Sequence, residues 1–150
     1  ISSSPQSMDR ELAAFAAKRG ARSEGLDAYG EIYRYADRAI TIDFLRNALK
    51  HDQDMSQLVA RARQAYMSGD ENSVFAVNRE GQHLEDPRVS RILVEERNAD
   101  WLPLIKGHIR AGGRFIAVGL SHLIGEEHLL DQLRKDGYAP TRVPASDRLR

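Results

Sequence analysis

An α/β fold is predicted for this chain, with a helical section followed by a strand–helix–strand unit. Three observations carry it. Most of the sequence before Gly112 places apolar residues at helical spacing. "RFIAVGL", residues 114–120, then switches to a continuous apolar run of strand length, as expected for a strand covered on both faces. Helical spacing returns in "GEEHLLDQLRKDGY", 125–138, and "APTRVPA", 139–145, reads as a final short strand before the tail "SDRLR".

The elements follow in order. "SPQSMDRELAAFAAKRG" predicts a helix capped by Ser7, with Leu12, Phe15 and Ala16 on one face and Gly20 at its end. "ARSEGL" reads as a short strand leading out of it. In "DAYGEIYRYADRAI", Tyr29, Ile32, Tyr33 and Ala36 fall at helical spacing, and "TIDFLRNALKH" continues the pattern. "DMSQLVARARQAYMSGD" carries a stripe of Leu58, Val59, Ala62, Ala65 and Tyr66, broken at Ser68-Gly69-Asp70. "ENSVFAVNREG" is ambiguous, with a short helix packed on the preceding hairpin as one solution. Asp86-Pro87 is a clear start signal, aspartate as cap and proline at the first helical position, for a helix running to Gly112-Gly113.

Composition narrows the function classes. The 150 residues suit one domain, and 22 basic residues balance 22 acidic ones, so no global field favours nucleic acid. With no cysteine, disulfides and thiolate metal sites are excluded, and a metal would need histidine, carboxylate or water. No apolar run approaches the roughly 20 residues that span a bilayer. The chain opens at Ile1 without methionine, a basic region or an apolar core, so a processed chain or a piece of a longer protein is expected.

Two constellations could carry chemistry. Gly119-Leu120-Ser121-His122 stands at the exit of the predicted strand, where α/β proteins place ligand loops. Glycine there permits close approach or a positive φ, and the imidazole can ligate a metal, act as a base or simply bond the loop. In the long helix, Arg97 and Asn98 precede Trp101 by four and three residues, so both project near its apolar stripe of Val94, Trp101, Leu104, Ile105 and His108. A guanidinium there needs a partner: a structural carboxylate such as Glu96 or Glu127, or an active-site group. His108 reads as a packed histidine. Glu126, Glu127 and His128 complement a helix dipole, Asp27 reads alone as a helix cap, and His51 and His83 lie in polar surroundings.

The composite of "LVEERNADWLPLI" and "GGRFIAVGLSHLIGEEHLLDQLRKDGYAPTRV" closely resembles the C-terminal part of the TraB/GumN family, related to the Tiki proteins. Glu96-Arg97-Asn98 with Trp101, the F-I-A-V-G-x-x-H stretch and the leucine-rich helix ending at Gly137-Tyr138 carry the likeness. "AYMSGD" resembles the family's tyrosine-glycine-aspartate turn and "GLDAYGEI" its leucine-glutamate segment, with Asp27 where glutamate is usual. Leu120-Ser121 also stand where small residues are common. The resemblance implies a metal-dependent hydrolase of metalloprotease type, in which two G-x-x-H motifs bring histidines to one site. Gly119 to His122 match the second motif and the first is absent, so the chain is expected to be the C-terminal portion of a domain whose N-terminal half is missing.

On that resemblance Arg97, Asn98 and Glu96 take catalytic positions, His122 a metal-ligand position, and Gly119 and Asp27 motif positions. A catalytic divalent metal normally has about three protein ligands. His122 is one, with Asp27 or Glu24 as a carboxylate, so this chain alone is not expected to hold the ion tightly. Expected partners are the missing half, a peptide substrate and further copies of the chain through the bared strand of Ile116 and Val118. An extracytoplasmic or periplasmic location follows from the resemblance only. A non-catalytic binding domain on the same scaffold is the alternative.

Overall fold

The computed structural model describes residues 8–143 apart from 85 and 126, without the side chains of 52, 53, 55 and 82–84. Among these residues the chain is helical, with no strand. The Ser7 cap, the 144–150 tail, Glu126 and the His83 side chain lie outside the described residues.

Helix α1 (Met8–Lys18) has acidic residues in its first turn and Lys18 in its last, matching the helix dipole, and ends before Gly20 at φ 66°. It buries no residue. Helix α2 (Glu31–Ala39) buries Tyr35 and Ala39 against Val89 and Ile92, forming a first core. The helical pattern breaks at Ile40, and the Thr41 hydroxyl accepts the Phe44 N–H (3.1 Å) to start α3 (Ile42–Lys50).

Helices α4 (Asp52–Ser68) and α5 (Glu71–Leu84) form the hairpin, so the ambiguous 71–81 stretch is a full helix. Gly69 takes φ 70° at the turn, and the Asp70 carboxylate accepts the N–H groups of Asn72 and Ser73 at 3.2 Å each. A Cβ on Gly81 would lie 2.9 Å from Leu58 Cδ2, so glycine lets the two helices approach this closely. Of the predicted α4 stripe, Leu58 and Ala65 are buried, whereas Val59 and Tyr66 are exposed.

Asp86 caps α6 (Pro87–Ser90) by accepting the Arg88 N–H at 3.0 Å. The helix continues through a π-helical turn, Arg91–Glu96, into α7 (Arg97–Ala111), and Gly112 at φ 71° stops it. Two short helices, α8 (Leu120–Leu123) and α9 (Leu129–Lys135), follow as the last among the described residues, with Gly137 at φ 86° after α9. The second core joins Trp101 and Ile105 of α7 to Leu129 and Leu133 of α9. No helix among the described residues is long and apolar enough to cross a membrane.

The predicted α/β class is therefore corrected to an all-helical one. Residues 21–26, 114–119 and 139–143 are not strands, because a strand exists only where a second one completes its backbone hydrogen bonds, and these segments have no such ladder. Half-buried Ile116 and Val118 alternate with exposed Phe115 and Ala117, and both pack on the second core. The run is covered on one face, not two. The final helix also begins later than predicted: His128 is its N-cap position, and Glu127 precedes it at φ 60°.

Candidate functional site

The π turn ends where the site begins. Arg97, Asn98 and Trp101 occupy the first turns of α7, and Asn98 (3% exposed) and Trp101 face inward. Short α8 brings His122 (7% exposed) against them, its N–H donating to the Gly119 carbonyl at 2.9 Å. Gly119 itself has φ −59°, and a Cβ there would meet His122 Cδ2 at an ordinary 3.6 Å. Of the two options glycine offers there, close approach or a positive φ, the positive φ is not used.

Asn98 and His122 bond each other twice. Asn98 Nδ2 donates to the His122 carbonyl (3.2 Å), and His122 Nδ1 donates to Asn98 Oδ1 (2.8 Å). That pairing puts the ring proton on Nδ1 and leaves Nε2 with its lone pair, which faces Arg97 Nη1 at 3.4 Å. Burial first, then the Arg97 charge and repulsion between the His122 and His128 rings when both are protonated, push the His122 pKa down to about 4, against a smaller upward pull from Asp27. The imidazole is neutral at neutral pH.

Asp27 closes the cluster from the other side. Leu26 is anchored in the second core, and Gly25 leaves room for the turn: a Cβ there would stand 3.0 Å from the Asp27 carbonyl oxygen. Asp27 Oδ2 accepts from Arg97 Nη2 (2.8 Å) and Oδ1 from the Trp101 indole N–H (2.7 Å). The guanidinium also lies over the indole at 4.4 Å and takes the Leu93 carbonyl (3.2 Å) as a further acceptor. Trp101 and His122 ring centroids are 4.6 Å apart. One polar atom in the cluster, Arg97 Nε, is buried without a partner.

Four of the residues singled out from sequence thus converge: Asp27, Arg97, Asn98 and His122. Glu96 does not join them. It pairs with Arg38 (2.7 Å) and ties α2 to the π turn. Glu127, offered as a partner for Arg97, pairs with Lys135 instead. Glu24 bonds His108 (3.5 Å) and His51 bonds Asp54 (3.3 Å), both outside the cluster. Trp101 was expected on the apolar stripe and within the family motif, without a bonding role of its own. Its indole N–H is a working member of the site, and the available signal was its position four residues after Arg97.

The residues present do not by themselves fit a metal centre. Among the described residues no group of three His, Cys, Asp or Glu side chains could hold an ion. The two candidate donors, His122 Nε2 and Asp27 Oδ2, are both turned toward the same guanidinium. The model of the TraB/PrgY/gumN family matches residues 1–142 of the chain. No curated protein and no solved structure matches it.

Proposed function

This chain belongs to the TraB/PrgY/gumN family, and from that premise we propose that Asp27, Arg97, Asn98 and His122 are its share of a hydrolytic site of metal-dependent peptidase type. The observation that supports this most is the state of His122. It is buried and neutral, its Nδ1 is spent on Asn98, and Nε2 is directed at a polar cluster drawn from three separate stretches of the chain.

Each residue has a role in that proposal. Asn98 is a positioning residue that holds the ring and its tautomer. Nε2 is the atom left to bind a ligand or take a proton. Arg97 supplies positive charge to an oxygen that becomes negative during acyl cleavage, and Asp27 with the Trp101 ring holds its guanidinium in place. The remaining donors of a metal site would have to come from outside the described residues.

A second reading, a non-catalytic binding domain, has its own support. Arg97 already stands between Asp27 and His122, so the acceptors a metal or substrate would use are satisfied within the chain. The full-length gene product, supplied with zinc, manganese or cobalt and an unstructured peptide mixture, separates the two. Metal-dependent cleavage that falls about 100-fold or more in a folded His122→Ala variant is expected. Cleavage undiminished by that substitution sinks the role of His122, and a folded protein that neither binds metal nor cleaves peptide favours the binding domain.

A further inference from the structure

A cavity of about 310 Å³ lies between the α4–α5 hairpin, residues 89–94 and the segment carrying Ser121 and His128. Its walls are largely aliphatic, with Leu58 from α4, Val74 and Val77 from α5, and Val89 and Leu93 facing them. The hairpin helices are already in close contact at Gly81 and Leu58, and Val89 is packed in the Tyr35 core, so both walls are anchored. Val59, also lining the space, is 64% exposed and marks an entrance.

Among the described residues the polar lining comes from Asn78, Ser90, Ser121 and His128, and no Asp, Glu, Lys or Arg of that set contributes. His128 donates Nδ1–H to the Ile124 carbonyl, so in the neutral imidazole Nε2 is the hydrogen-bond acceptor. Its ring is held over Gly125, where φ is 129° and a Cβ would stand 2.6 Å from Nδ1. A rigid acceptor beside aliphatic walls suits a hydroxyl on an apolar body. A carboxylate in the same place would be desolvated with no cation among the described lining residues to pair it.

We propose that this cavity binds a neutral, hydroxyl-bearing aliphatic molecule of about ten to fifteen non-hydrogen atoms, a size suited to its volume. The proposal stands apart from the hydrolytic reading, since it concerns a different set of side chains and is read by binding alone. Ser121 lines the cavity beside His122, so an occupant would sit next to the polar cluster without using its groups.

Titration of the ¹⁵N-labelled protein with 1-decanol tests it. Saturable amide shifts are expected in α4, α5 and residues 89–93, with decanoate at pH 8 binding about tenfold more weakly or worse. Val77→Phe and the milder Val74→Met fill the space, and whichever keeps the native amide spectrum should weaken decanol binding by about tenfold. No saturable shift up to the solubility limit, equal binding of decanoate, or undiminished affinity in a folded filled variant would each overturn the proposal.

Discussion

Helices α3 and α7 both carry apolar residues at helical spacing, yet α7 buries Trp101 and Ile105 while α3 buries nothing. On α3, Leu49 is 81% exposed and Ile42 is exposed as well; on α9, the partner of α7, Leu129 is 1% exposed. The contrast separates two properties that sequence periodicity merges. Spacing says which face of a helix would be buried, and only a partner in space decides whether it is. In the C-terminal region the partner arrives within the same stretch of chain, and the polar cluster adjoins that core through Trp101.

The largest test of the contrast is truncation on each side. Trp101→Ala removes a buried ring, the indole bond to Asp27 and the surface under Arg97, and is expected to cost about 3–5 kcal/mol in urea unfolding. Leu49→Ala should stay within about 0.5 kcal/mol. Equal costs would show that α3 is covered in solution and erase the difference.

A smaller effect comes from His122. Its folded pKa of about 4 lies below the ordinary value of 6.5, so the unfolded chain takes up a proton first as pH falls. The contribution is fully present above pH 6.5, shrinks between 6.5 and 4, and is gone below that. Between pH 7 and 4.5 the wild-type protein should lose about 2–3 kcal/mol more than His122→Asn, at about 1.4 kcal/mol per pH unit. Parallel losses in the two proteins would mean that the imidazole is open to water.

Smallest is a change on α7 itself. A Cβ at Gly107 meets nothing within 4 Å, so Gly107→Ala should stabilise the protein by about 0.5–1 kcal/mol through helix propensity alone. A rise in thermal midpoint checks the sign, and a fall would place an unseen contact on that face.

Much of the site was legible because its signals are local. Arg97, Asn98 and His122 were marked by spacing and by a composite motif, and the Asp86-Pro87 start and Gly112 stop of the long helix follow from backbone chemistry. What joined them was not local. The Asp27 bonds to Arg97 and Trp101 span 70 and 74 residues, which no periodicity reports. The same limit produced the fold-class error, since "RFIAVGL" has the composition of a strand but no ladder partner among the described residues. The π turn at 91–96 also went unseen, because its residues differ in no obvious way from those of an α-helix.

Trp101 is the chain's sole tryptophan, and its ring lies 4.6 Å from His122 and 4.4 Å from the Arg97 guanidinium. The molecule therefore carries a single fluorophore inside its candidate site, with no second indole to dilute the signal. Imidazolium quenches indole emission more than neutral imidazole does, so light from this one ring follows the charge of its neighbour. Protonation, displacement of the guanidinium or entry of a ligand can be watched without a label.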